Sequence, residues 1–126
     1  MSAQSPQAII EQKMREISEL GSYEMVHLFS QEGLPLAEYY KDRVIAKDRL
    51  AEISVLFGEI KKMADVMGKI SNIKEFIVEG TNRRKIVFRF FPAFQQEVVL
   101  ALVVPPKKSY RGHTNALIRT IEKLSF

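Results

Sequence analysis

The chain has 126 residues, 46% of them hydrophobic and 27% charged, the balance of an ordinary globular domain and not of a disordered chain. It contains no cysteine, which excludes disulfides, thiolate metal sites, iron–sulfur clusters and cysteine nucleophiles. The formal net charge of +4 comes from basic residues scattered along the chain, whereas a phosphate-tracking surface needs them gathered on one face.

This length fits one domain, residues 1–126, with a core burying about two-thirds of the surface the unfolded chain exposes. The N-terminal stretch MSAQSPQAIIEQKM lacks a basic region followed by an apolar run, and no segment approaches 18 or so uninterrupted apolar residues. The expectation is a soluble, non-exported chain in a cytoplasmic setting, with no membrane partner.

Ser5 followed by Pro6 matches an N-cap with proline at the first helical position. Ile10, Met14, Ile17 and Leu20 recur at helical spacing, and Gly21 is placed to end the helix. Tyr23 to Ser30 is rich in aromatic and strand-favouring residues, and Gln31-Glu32-Gly33 supplies a tight turn into LPLAEYY, which together predict a β-hairpin. Pro35 cannot donate to a ladder, so the second strand is expected at a sheet edge.

The longest element is predicted from about Val44 to Ile70. Ala46, Leu50, Ile53, Phe57, Ile60, Ala64 and Met67 alternate four and three apart, and Leu56, Met63 and Ile70 add a second row. The combined apolar arc spans about 160°, wider than one sheet needs to seat a helix. Gly58 falls on the polar side, and Gly68 near the apolar side, where it is expected to allow close backbone approach.

After Ser71-Asn72 come IKEFIVEG, a TNRR turn and KIVFRFF, a hairpin with a basic tip whose second strand is expected to end at Pro92. EVVLALVV is continuously apolar, as a central strand covered on both faces must be, and Pro105-Pro106 terminates it. Thr114, Leu117, Ile121 and Leu124 form a last helical stripe, with Arg119 and Lys123 near the negative end of its dipole.

Catalytic chemistry finds little to stand on. His27 and His113 have no acidic or histidine neighbours at metal-ligand spacing, and a lone strand histidine reads as structural. No GxSxG, P-loop, GxGxxG or HExxH pattern occurs, so no enzyme activity and no cofactor are expected. Glu52 and Glu59 share a helix face with Lys61 and Lys62, the composition of a solvated surface.

Arg83, Arg84 and Lys85 at the hairpin tip, with Lys107, Lys108 and Arg111 before the last helix, are the candidate anion contacts. Basic tips also keep sheets from pairing edge to edge, which is the favoured explanation. The adjacent pairs Tyr39-Tyr40 and Phe90-Phe91 put one ring on each face of a strand and so do not form a base-stacking platform.

The element order resembles the roadblock/dynein light chain superfamily over nearly the whole chain. The residues that carry the resemblance are HLFSQEGLPLA (His27 to Ala37), the long helix to Ile70, and the strand trio EFIVEG, KIVFRF and VVLALVV before the closing helix. Glu32 stands where the family often has aspartate, and Lys107 to Asn115 is more basic than the family's short loop.

The resemblance implies an α+β fold: a five-stranded antiparallel sheet in order 2-1-5-4-3, the long helix on one face and the first and last helices on the other. It also implies a homodimer made by pairing the third strands and packing the two long helices. The implied interface comprises Ile53, Leu56, Phe57, Ile60, Met63, Glu75, Phe76, Ile77 and Val78, with Leu56, Phe57, Phe76 and Val78 as anchors.

Members of the superfamily act as non-enzymatic platforms, including dimeric regulators of Ras-like small GTPases in bacteria and archaea, and that function is expected here. Regulation is expected to work by shifting populations of the GTPase's switch loops and not through an arginine finger from Arg83 or Arg84. Two alternatives differ in class. One is an anion or nucleic-acid binding module using the basic loops, with nucleic acid the less favoured partner. The other is a small-molecule sensor, which requires an open cavity of several hundred Å³ between sheet and helix.

Overall fold

The computed structural model describes residues 4–41, 47–68, 70 and 72–124. The elements run α1 (Pro6–Gly21), β1 (Met25–Ser30), β2 (Pro35–Tyr40), α2 (Lys47–Met67), β3 (Glu75–Glu79), β4 (Lys85–Ala93), β5 (Gln96–Val104) and α3 (Arg111–Glu122). The five strands form one antiparallel sheet in the order β2-β1-β5-β4-β3.

Side chains alternate between the two faces of this sheet, and each face carries its own core. Val26, Leu28, Leu100, Leu102 and Phe91 pack with Ile10, Met14 and Ile17 of α1 and with Leu117 and Ile121 of α3. Met25, Phe29, Phe88, Phe90 and Val99 pack with Leu50 of α2. The α+β architecture is therefore α2, sheet, then α1 and α3 together. β5 lies in the middle, and from Val98 to Val104 it is apolar and buried on both faces.

At the start of α1 the Ser5 hydroxyl accepts the Ala8 N–H at 3.2 Å, with Pro6 inside the first turn. Leu20, the fourth member of the predicted stripe, is exposed. At 3.6 residues per turn it lies about 80° around the helix from Ile10, while Met14 and Ile17 stay within about 40°. Gly21 is the last helical residue, and the left-handed position falls on Ser22, with φ 59°. Glycine is needed at 21 for a different reason: a Cβ there would run into the Tyr23 ring. That ring is fully buried and its hydroxyl donates to the Ser109 carbonyl at 2.6 Å, while the Tyr23 N–H bonds the Ser18 carbonyl of α1 at 3.1 Å, so the residue belongs to the helix end and not to the predicted strand.

Pro35 opens β2, which pairs only with β1 and is an edge strand as expected. Pro92 does not end β4. It pairs with Glu97, and the hairpin turns at Phe94 and Gln95, whose φ values of 55° and 62° are those of a primed two-residue turn. Proline is tolerated there because β3 has already ended alongside. The Lys74 carbonyl accepts the Phe90 N–H at 2.8 Å, and the ring nitrogen two residues on points past the start of β3.

The predicted start of the long helix, Val44 to Ala46, lies outside the described residues. Among the described side chains of α2, Leu50 and Ser54 are buried and Phe57 is half-buried, so most of the predicted stripe does not seat on the sheet. Gly68 makes no close backbone approach; nothing lies within 4 Å of a Cβ built there, and its φ of 81° suits the bend just after the helix.

Two glycines give opposite expectations. Gly21→Ala drives a methyl into the Tyr23 ring and is expected to cost at least about 1 kcal/mol. Gly58→Ala, in open space within a helix, is expected to stabilise by about 0.5–1 kcal/mol. Urea denaturation of both variants checks the signs. Burial also pushes the Tyr23 hydroxyl from 10.0 up to about 12. The fold thus prefers the protonated phenol, and its contribution is complete below pH 10 and lost as pH rises through about 12. Urea midpoints between about pH 9 and 12 are expected to fall less steeply in Tyr23→Phe.

Candidate functional site

The two edges of the sheet are built differently. On β2, Pro35 offers no N–H, and the Glu11 carboxylate of α1 accepts the outward Glu38 N–H at 2.9 Å. On β3, the Gly80 N–H bonds the Arg84 carbonyl and the Lys74 carbonyl accepts from Phe90, so even-numbered residues face β4. By the antiparallel alternation, the backbone groups of Glu75, Ile77 and Glu79 point away from the sheet. Ile77 and Val78 are 45% and 46% exposed.

Beside this edge stands the apolar part of α2 that the sheet does not use. Ile53, Leu56, Ile60, Met63 and Met67 are exposed, with Leu56 at 57% and Met63 at 68%. At 3.6 residues per turn they fall within about 80° of one another, and about 110° from the sheet-facing line through Leu50, Ser54, Phe57 and Lys61. Phe57 lies on the same side as this stripe and stacks on Phe76 of β3, with ring centroids 4.7 Å apart and planes 13° apart. The stripe therefore borders the β3 edge, and the two form one continuous surface.

Six of the nine residues predicted for the interface, Ile53, Leu56, Ile60, Met63, Ile77 and Val78, are exposed on this surface. Phe57 and Phe76 are largely occupied within the chain, stacked on each other and packed against Phe88 and Phe90. Glu75 contributes only its backbone to the edge. Its side chain turns towards α3, where Arg111 Nη2 lies 2.7 Å away, Arg89 Nε 3.7 Å and the Tyr110 hydroxyl 3.2 Å. Arg89 in turn donates to Thr114 Oγ1 at 2.7 Å and Asn115 Oδ1 at 2.8 Å. This network joins three elements, and no spacing within one element announces it. Met67, omitted from the predicted interface, belongs to the same stripe.

The register Lys85↔Val104 brings Arg83, Arg84 and Lys85 to the same end of the sheet as Lys107 and Lys108. Arg84 is tied to Glu24 at 2.8 Å and Lys85 lies 3.8 Å from Glu79, while Arg111 belongs to the Glu75 network. Arg83, Lys107 and Lys108 make no ion pair among the described residues. Glu52 and Glu59 pair with Arg49 at 3.2 Å and Lys62 at 3.4 Å on the outer surface of α2. Lys61 instead reaches Glu97 at 3.1 Å.

His27 is buried, stacked on Phe29 at 4.0 Å, with Nδ1 2.6 Å from the Tyr40 hydroxyl, an environment that fixes the ring in the core. No group of three or more potential metal ligands occurs among the described residues. Between α2 and the sheet, near Ser54, Gly58 and Val99, the open space amounts to about 100 Å³. A larger cleft of about 350 Å³, lined by Lys61, Asn72, Arg89, Pro92 and Asn115 among others, lies at the rim past the start of β3 and is open to solvent. The sensor reading needs its cavity between sheet and helix; a further hollow of about 320 Å³ lies between α2 and the β1–β2 turn, lined by Glu32, Gly33, Ala51, Glu52 and Val55, but it is open to solvent and no strand residue lines it.

No protein-family model and no curated protein sequence matches the chain. Solved structures do. The gliding protein MglB of Thermus thermophilus matches with a TM-score of 0.71 at 16% identity, over 98% of this chain and 96% of that one. Myxococcus xanthus MglB matches with 0.72 at 14% identity, over 97% and 88%. The roadblock/LC7 domain from Streptomyces avermitilis gives 0.62 at 15% identity, over 82% and 87%. On this likeness, which spans nearly the whole chain, the protein has the roadblock/LC7 fold.

Proposed function

We propose that this chain is a non-enzymatic homodimeric platform that binds and regulates a Ras-like small GTPase. The observation that carries the reading is the junction of an unpaired strand edge with an exposed apolar helix stripe. An open edge is a template for another strand, and a contiguous apolar patch beside it costs solubility unless it is covered. A second copy satisfies both needs. Two β3 strands pair antiparallel, and the two α2 stripes meet across the same twofold axis. A stable interface of this kind buries about 1,600 Å² in total.

The regulatory step follows from what such a dimer offers. It presents a rigid surface that a GTPase's switch loops can dock on, and docking favours one loop arrangement over others without donating a reacting group. The fold likeness to the MglB and roadblock/LC7 structures supports this class of function, and the reading implies a cytoplasmic protein. No helix of the described residues is long and apolar enough to cross a membrane. A second reading, an anion-binding module, draws on the convergence of both basic clusters at one end of the sheet. It expects binding to fall with salt by about one log–log unit per phosphate contacted.

The wild-type chain is expected to be a dimer whose molar mass is insensitive to salt. Met63→Glu combined with Leu56→Glu puts charges into the helix contact, and Val78→Lys puts one beside the strand pairing. Each variant is expected to raise the dissociation constant by about 100-fold or more, measured by sedimentation equilibrium. A Ras-like GTPase that responds to the dimer is expected to show a changed hydrolysis rate in single-turnover assays, and the Met63/Leu56 variant to lose that effect. An unchanged dimer in all of these variants places the interface elsewhere.

A further inference from the structure

The odd-numbered groups on the β3 edge restrict how two copies can pair. Residues opposite each other must share a sheet face, so Glu75, Ile77 and Glu79 pair only among odd-numbered residues. Three registers overlap substantially, with the twofold axis at Phe76, Ile77 or Val78. The Ile77 register pairs the whole of Glu75–Glu79 with itself. The other two run Glu79 against Ile73 or Glu75 against Thr81 and leave part of each strand unpaired. Hydrogen bonding therefore favours Ile77.

That register carries an apparent penalty. It sets Glu75 directly opposite Glu79 of the partner subunit, twice by symmetry, and like charges directly opposite destabilise a ladder. The side chains around Glu75 remove the penalty. Arg89 and Arg111 bring two positive charges to one carboxylate, leaving a surplus of one. Arg89 is committed to Glu75, Thr114 and Asn115. Arg111 is not: its side chain is 69% exposed, and its contacts with Glu75 and Tyr110 leave most of the five donors of a guanidinium unused. Glu79 is exposed too and held only loosely, with Lys85 Nζ at 3.8 Å.

We propose that Glu79 of the partner subunit completes the ion cluster around Glu75 by docking on Arg111, and so fixes the two β3 strands in the register centred on Ile77. The proposal rests on the dimer reading above and deepens it, because it makes the edge specific for a second copy of this chain. A strand lacking an acid at the position opposite Glu75 leaves the surplus cation unmatched, and a strand shifted by two residues sets an uncharged residue there. The contact also links the strand pairing to the first turn of α3, which carries Arg111.

The absence of native cysteine allows a direct test. Opposed residues of a hydrogen-bonded antiparallel pair have Cα atoms about 5.5 Å apart, within reach of a disulfide. Under mild oxidation Ile77→Cys is expected to form a covalent dimer, while Val78→Cys alone and Lys74→Cys/Val78→Cys together are not. Those two report the Val78 and Phe76 registers without disturbing the Phe57–Phe76 stack. Cross-linking in either of them, or a dimer in which none cross-links, overturns the register. A wild-type chain that is monomeric by sedimentation overturns the platform reading itself.

The ion contact has its own readout. Arg111→Gln and Glu79→Gln are each expected to weaken the dimer about threefold to tenfold, and the double variant no more than either alone. Additive losses contradict an Arg111–Glu79 contact even where Ile77→Cys cross-links.

Discussion

The structure depends on how a five-stranded sheet ends. Backbone donors and acceptors at an edge must be paired, covered or blocked, and this chain treats its two edges in opposite ways. The β2 side is blocked by Pro35 and covered by a carboxylate from α1. The β3 side keeps its outward groups open and has a flank of exposed aliphatic residues beside it. β3 has no proline and presents Phe76, Ile77 and Val78 between its two glutamates, and on a solitary domain an open edge of that kind invites aggregation.

The position of α2 follows from the same division. Its contact with the sheet runs through Leu50, Ser54 and Phe57, with Ser54 returning its hydroxyl to the Leu50 carbonyl at 3.0 Å. Leu50, Ser54 and Phe57 make that seat, while Ile53, Leu56, Ile60 and Met63 lie to one side, towards β3. A helix placed to bury them on its own sheet would have to rotate by about a third of a turn and lift the Phe57–Phe76 stack. The aromatic cluster of Phe57, Phe76, Phe88 and Phe90 holds the helix in the rotated position and keeps the stripe available. Core packing on one side of α2 thus determines which surface the other side presents.

Much of this architecture was legible in the residues. Pro35 required an edge, EVVLALVV required a centre, and the Ser5-Pro6 and Thr114-Leu117-Ile121 patterns gave α1 and α3, because each signal is local and decided by backbone chemistry or periodicity. The excess width of the α2 arc was legible as an amount, and the buried part of it was not, since that depends on ring stacking between α2 and β3. Pro92 misled for a similar reason. A proline in a strand marks an edge, and it did so here only because β3 stops short beside β4. Gly21 and Gly68 were each assigned the other kind of role, since a glycine in the sequence does not say whether it serves a positive φ or a neighbour's ring. Within the site, the exposed aliphatic residues followed from periodicity and the resemblance. The cluster of Glu75, Arg89, Tyr110 and Arg111 joins three elements distant in sequence and was invisible before the fold was known.

Whether a second copy covers the β3 edge can be read from amide hydrogen exchange resolved to single residues. If the edge is covered, the Ile77 and Glu79 amides are protected at high protein concentration and lose protection on dilution, while amides of β5 stay protected throughout. If Ile77 and Glu79 exchange as fast as loop amides at every concentration, the edge is open in solution and no second copy covers it.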